Sequence, residues 1–339
     1  MQLISNPAAF EVDFRPERLE GREEQVQVLL DCLAPSVAGR KPFHAWVHGP
    51  PGSGKTAIVQ AALANVAERG VAAVIVNVLQ RRTFYAVVDQ VLDELRVLAG
   101  DEKDTNWKLE VLQRHAVKQP IVIAIDEIDQ LPVGERNALL YNLASLGLVG
   151  LVLLSQSRAA AEELDARVLS RLNPRLIGLQ PYTDDLVRSI LETRARAGLR
   201  PETWCGETLG VIARRAEGDA RLAIQAFRIA AYRAEHRHAL VIEDRDVEHA
   251  FGALDLKALR RSYVLRKMPA QQRLLYELIA ERGRIASKDL HQLWKARCIE
   301  LGYEVLSFRT FKDYHLRLRQ LGLLRQAPGR GKGFWLEAA

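Results

Sequence analysis

Residues 48–56 read HGPPGSGKT and directly follow the apolar run Phe43–Val47. From Gly49 to Thr56 every position of G-x-x-x-x-G-K-[ST] is filled, between an expected strand and an expected helix. Such a loop lets backbone N–H groups turn inward around phosphates, and a helix starting near Lys55 adds its positive end. Pro50, Gly52, Ser53 and Gly54 are therefore expected to cradle a nucleotide's phosphates. Lys55 is expected to neutralise the β and γ oxygens, and Thr56 to hold Mg²⁺ through its hydroxyl.

The surrounding pattern fits. FHAWV, VAAVIVNV, PIVIAID and GLVLLS are Val/Ile/Leu-rich runs with few polar interruptions, as in strands buried on both faces of a parallel sheet. Helical patterns such as TAIVQAALANVAERG and RNALLYNLASLG lie between them, so a βαβ unit repeats up to about Leu179. From Thr183 to about Leu254 the pattern is all-helical, and a third unit begins near Ala258 with three more helical stretches. It closes with LLRQAPGRGKGFWLE, two short apolar segments around a Pro/Gly/basic turn, which predicts a β-hairpin. The expected domains are 10–181, 182–255 and 256–339.

PIVIAID is followed by Glu127. A strand ending in two carboxylates predicts that Asp126 supports Mg²⁺ and that Glu127 orients and polarises an attacking water, a hydrolase arrangement. Gln156, at the tip of the next strand, either faces the γ-phosphate or leads into the Ser-Arg turn. Arg167 and Arg171 lie four apart on one helical face. They are either an ordinary surface pair or the arginines that one protomer presents to a neighbour's γ-phosphate. Arg221, in Gly-Asp-Ala-Arg at a helix start, either folds back over the nucleotide or is solvated there.

Charge is divided unevenly. The chain of 339 residues carries a formal net +6, yet Leu256–Ala339 alone holds 18 Lys+Arg against 7 Asp+Glu. All the basic excess sits in the last quarter, which points to one domain that meets a polyanion. Helices followed by a basic hairpin form a winged helix-turn-helix pattern. Its recognition helix is expected at 307–321, with Ser307, Arg309, Thr310 and Lys312 nearest the DNA and Arg330 and Lys332 in the wing. Phe308, Phe311, Tyr314 and Leu318 are expected to form that helix's core face. No apolar run approaches the roughly 18 residues needed to span a bilayer, no secretory signal is visible, and three scattered cysteines fit reduced thiols in a cytoplasmic protein. The eight histidines show no metal-ligand spacing.

These parts in this order resemble the AAA+ ATPases, and more narrowly the archaeal replication initiators of the origin-recognition-complex and cell-division-control type. LEGREEQ (19–25) is similar to the family's stretch lying against the adenine, and RRTFY (81–85) to the start of its initiator-specific helical insertion. CIELGYEVLSFRTFKDY (298–314) with GRGKGF is similar to its winged helix. The resemblance runs from about residue 14 to 337. It implies an α/β AAA+ core with a parallel sheet and phosphate loop, an all-α lid and a C-terminal winged-helix DNA-binding domain. It also implies ATP/ADP and Mg²⁺ as cofactors, origin-like repeats in double-stranded DNA and a replicative helicase as partners, and a homo- or hetero-oligomer with other AAA+ initiator subunits. A cytoplasmic, nucleoid-associated location, with no membrane partner, goes with that. Gln156 stands where the family usually has Asn, a departure that bears on hydrolysis or its coupling. Two other readings use the same parts: an ATP-switched regulator of transcription or mobile-element maintenance, and a signalling-type ATPase whose winged helix contacts proteins.

Overall fold

The structure is a computed structural model that describes residues 2–11, 14, 16, 18–79, 83–97, 105–254, 268–304, 306–320, 323–327 and 335–338. The chain forms two compact units, Met1–Ala253 and Leu254–Ala339.

Continuous apolar runs need cover on both faces, and the first unit provides it. Strands β1 (Ala45–His48), β2 (Ala72–Asn77), β3 (Ile121–Asp126), β4 (Val149–Ser155) and β5 (Arg175–Gly178) form a parallel sheet in the order β2-β3-β4-β1-β5. Ile121, Ile123 and Ile125 point to one side, where they pack with α3 (Phe84–Glu94), α4 (Thr105–Lys118), α5 (Val133–Ser145) and α7 (Ala166–Leu172). Val122 and Ala124 point to the other, against α1 (Glu23–Val37) and α2 (Lys55–Ala67). A short helix, α6 (Ala159–Glu162), follows β4. The apolar runs predict four of these strands. β5 escapes because it is an edge strand in which only Ile177 is buried, leaving no apolar run to see.

Helices α8 (Asp184–Gly198), α9 (Gly206–Arg215), α10 (Ala220–His236) and α11 (Asp244–Ala253) make up the expected all-helical region. Thr183 caps α8 by accepting the Leu186 N–H, and Asp219 caps α10 by accepting that of Leu222. The first residues of the chain belong to this lid, which the sequence did not announce. Ile4 bridges antiparallel to Leu199, the Phe10 ring meets Phe227 edge-on at 5.4 Å, and Arg194 donates to the Ala9 and Glu11 carbonyls, both at 2.8 Å.

In the second unit α12 (Ala270–Arg282), β6 (Arg284–Ala286), α13 (Ser287–Glu300), α14 (Phe308–Gln320), β7 (Leu324–Ala327) and β8 (Trp335–Ala338) follow one another. The strands pair antiparallel in the order β6-β8-β7, so the expected hairpin is present, with β6 added to its far edge. Leu275, Ile279, Trp294, Phe311, Leu318 and Leu336 form the core. One expectation is corrected here: Phe308 is not a core residue but 51 % exposed. It opens the first turn of α14, where its ring meets His291 at 4.7 Å and Phe311 at 5.9 Å, and the Lys312 ammonium lies 4.8 Å from it. The inward stripe is instead Phe311, His315 and Leu318, with Tyr314 half-buried. Among the described residues no helix is long and apolar enough to cross a membrane.

His44 leads into β1 and is buried; its Nδ1 accepts the Leu151 N–H at 3.0 Å, standing in for a rung of the sheet. Burial, with Lys41 adding to it, pushes its pKa down to about 4 from an ordinary 6.5. The unfolded chain therefore takes up this proton first as the pH falls. His44 should cost the fold about 3 kcal/mol between roughly pH 6.5 and 4, and nothing above that window. His44→Asn, whose amide oxygen accepts the same N–H without titrating, should lose less stability than the unaltered chain when urea midpoints are compared on either side of it.

Candidate functional site

The loop after β1 is shaped by two glycines. Gly54, the residue before α2, has φ of 91°, and no side chain caps that helix end; Gly52 has φ of 70°. Neither place has room for a side chain. A Cβ on Gly54 would lie 2.4 Å from the Tyr182 hydroxyl, and one on Gly52 would lie 1.9 Å from Asp219 Oδ1. Both neighbours belong to the lid side of the chain. The lid also donates a hydrogen bond into the loop, from Ala220 N–H to Gly52 O at 3.3 Å. Ser53 is fully buried between them, and its Oγ has no partner.

Lys55 Nζ donates to the carbonyls of Gly49 at 2.7 Å and Pro50 at 2.9 Å. Burial lowers its pKa; Glu127 and Asp126 pull the other way, and Arg221 adds to the lowering. Arg221 is exposed at the start of α10, so the lid brings its charge within range of the loop.

Three strand ends converge on Lys55 and Thr56. Thr56 Oγ1 donates to Asp126 Oδ2 at 3.0 Å, so a hydroxyl from the first turn of α2 meets a carboxylate from the end of β3. Asp126 Oδ1 accepts the Glu127 N–H at 2.9 Å. Glu127 itself is left-handed, at φ 58° and ψ 37°. A conformation of that kind in a non-glycine residue costs on the order of 1–3 kcal/mol and is found most often at functional sites. Gln156 Nε2, from the end of β4, donates to Glu127 Oε2 at 3.4 Å. Trp46 steadies that tip by donating Nε1–H to Ser155 Oγ at 2.8 Å.

Hard oxygen donors in a hydroxyl–carboxylate pair fit Mg²⁺, which keeps waters and phosphate oxygens for its other positions. Among the described residues no cluster of three or more His, Cys, Asp and Glu offers a fuller protein cage. The uncapped end of α2, buried Ser53 Oγ and half-buried Lys55 likewise fit phosphates.

Sequence reasoning did not single out Arg136, and it had Arg22 only as part of the stretch 19–25. Arg136 is buried and spans from the Asp129 and Leu131 carbonyls, at 3.2 and 3.1 Å, to Ala160 O at 2.9 Å and Glu163 Oε2 at 3.1 Å. It thus clamps the turn carrying Glu127 to the segment after Gln156. An arginine in an amphipathic helical pattern reads as solvated, which hid it.

Arg167 and Arg171 lie elsewhere, exposed on α7. Arg171 bonds Ser145 Oγ, and its guanidinium sits 4.4 Å over the Tyr141 ring at the end of α5. In the second unit Ser307 Oγ accepts the Thr310 N–H at 3.2 Å and lies 3.0 Å from Thr310 Oγ1, so these hydroxyls cap α14. Arg309 and Lys312 are exposed on its first turn. Arg330 and Lys332, and Arg81 and Arg82 in the other unit, lie outside the described residues.

Comparison with known proteins places this geometry. Residues 18–154 match the AAA ATPase domain family and residues 188–252 the Cdc6 AAA+ ATPase-type lid domain. ORC1-type DNA replication protein 1 of Aeropyrum pernix is 28% identical over 346 residues, spanning 94% of this chain and 87% of the relative. ORC1-type DNA replication protein 6 of Halobacterium salinarum is 29% identical over 343 residues, spanning 95% and 90%. The solved Aeropyrum pernix ORC1 protein in complex with DNA aligns with a TM-score of 0.78 at 27% identity, over 100% of this chain and 94% of that one. The fold of the first unit is that of an AAA+ core with its helical lid. Over nearly its whole length the chain is similar to archaeal replication proteins of the origin-recognition-complex and cell-division-control type.

Replacing Glu127 with Gln keeps its size and its hydrogen bond to Gln156 but removes the carboxylate expected to act as the base. Phosphate release should slow by at least ~10²-fold while nucleotide affinity stays within a few-fold of the unaltered chain. An unchanged turnover would remove Glu127 from the chemistry.

Proposed function

We propose that this chain is an ATP-dependent, origin-binding replication initiator that binds duplex DNA and helps to recruit or load a replicative helicase. One observation carries the reading: the likeness to an ORC1 protein solved with DNA covers the whole chain, not the ATPase part alone.

In this reading the loop from Pro50 to Thr56 and Lys55 hold the phosphates, and Thr56 with Asp126 holds Mg²⁺, which when bound neutralises charge on the β and γ oxygens. Glu127 orients the attacking water and draws its proton, and Gln156 holds the Glu127 carboxylate in place. Arg221 joins from the lid, so ATP acts as a switch that draws lid and core together. Arg171 and Arg167 sit on an exposed face from which a second protomer's γ-phosphate is reached in a homo- or hetero-oligomer. The parts are a core over 10–181, a lid over 182–255 and a winged-helix DNA-binding domain over 256–339. The order helix, strand, helix, helix, strand, strand in the second unit supports that last assignment. Arg309 and Lys312 on the first turn of α14 face the DNA, Ser307 and Thr310 set that turn, and Arg330 and Lys332 occupy the wing.

Selection of bound fragments from the source genome, with ATP and ADP in parallel, tests the reading. Enrichment of a few repeat-bearing intergenic regions is expected; scattered promoter sites would make the protein a regulator instead, and no enrichment would remove DNA recognition. On an enriched site, Arg309→Ala should weaken specific binding by roughly 1–3 kcal/mol and nonspecific binding by less. Equal losses would reduce Arg309 to a phosphate contact.

A further inference from the structure

Arg22 occupies the residue before α1, a position where Ser, Asp or Asn usually closes a helix, yet its side chain makes no capping bond to α1. It is 6 % exposed and crosses instead to the phosphate loop and the lid junction. Its Nε donates to Ser53 O at 3.0 Å, inside the loop. Its Nη2 donates to Gln180 O at 2.6 Å, in the connection from β5 to α8. The guanidinium plane lies 3.9 Å from the centre of the Tyr182 ring, and the hydroxyl of that ring abuts Gly54. Tyr182 N–H in turn donates to Gly218 O at 3.1 Å, two residues before Ala220, whose N–H reaches Gly52 O.

These contacts close a ring: Arg22, Ser53 and Gly54 in the loop, Tyr182 in the junction, and Gly218 with Ala220 at the start of α10. Among the described residues no carboxylate forms an ion pair with Arg22, so its donors rest on neutral carbonyls and its charge stays uncancelled beside the loop. A buried guanidinium is costly to desolvate, and only a fork of donors on a flat plane satisfies two carbonyls and stacks on a ring at once.

We propose that Arg22 is a positioning residue for the nucleotide, holding the phosphate loop and the first turn of the lid in one register without touching the phosphates. The inference rests on the nucleotide reading of the loop. Moving the lid then moves Tyr182 against Arg22 and Gly54, so lid position and loop shape change together.

The test measures the affinity of the full chain for a fluorescent ADP with Mg²⁺, and amide hydrogen exchange without nucleotide in peptides covering 179–183 and 218–222. Arg22→Met keeps length but removes charge and donors. ADP affinity should fall at least about tenfold, since hydrogen bonds to a charged group are lost. Exchange should accelerate in both peptides and stay unchanged along Ile121–Asp126. Arg22→Lys, lacking fork and plane, should not restore either readout. Tyr182→Phe should bind ADP normally, Tyr182→Ala should match Arg22→Met, and the double variant should be no worse than either single one. Normal affinity and exchange in Arg22→Met, or losses that multiply in the double variant, overturn the proposal. If Arg22→Met does not fold, equal ADP affinity in Tyr182→Phe and Tyr182→Ala overturns it. Lys55→Ala separates the two levels: loss of ADP binding with normal exchange in both peptides leaves the nucleotide reading standing, whereas retained ADP binding removes that reading and the role of Arg22 with it.

Discussion

Because the strands of the core sheet run the same way, their carboxyl ends share one edge, and the chemistry there depends on which strands are neighbours. β4 lies between β1 and β3. This order sets Thr56, Asp126, Glu127 and Gln156 side by side although they are up to a hundred residues apart in the chain. The arrangement exists only because both faces of the sheet are buried, by α1 and α2 on one side and by α3, α4, α5 and α7 on the other. A slip of one residue in β3 would exchange Ile123 for Ala124 on the packed face and turn Asp126 away from Thr56. Core packing and site geometry are in this sense one constraint.

The lid supplies what the sheet lacks. A phosphate loop is a flexible strip of backbone, and here it is braced from outside by Asp219, Ala220 and Tyr182. Small residues are required at Gly52 and Gly54 as much by those neighbours as by the backbone angles. The ATPase core is therefore incomplete without the helices that follow it, and the order of elements in the chain becomes an order of assembly around the nucleotide.

Much of this is legible in the sequence, for identifiable reasons. The phosphate loop, the Asp126–Glu127 strand end and the strands β1 to β4 announce themselves because one chemistry or one packing rule dictates successive residues. β5 does not, since three of its four residues are exposed. Phe308 misleads because spacing marks a helical face but not where along the helix the packing partner ends. The roles of Arg22 and Arg136 are invisible because most of their hydrogen-bond partners are backbone carbonyls, which any residue supplies and no motif records. Ser307 and Thr310 show the converse: a stretch suggestive of DNA contact also satisfies a helix end.

The placement of the N-terminal segment has a consequence in time. Ile4 N–H is received by Glu235 Oε1 across 231 residues, and its bridge partner Leu199 is almost as remote. At a synthesis rate of roughly 5–20 residues per second, about 10 to 50 s separate the emergence of the two ends of that contact. Throughout that interval Leu3, Ile4 and Phe10, all buried in the finished molecule, have no surface to rest on. Helix α10 thus closes over these residues late, and a nascent chain stalled before α10 would leave them exposed for chaperones or proteases to find.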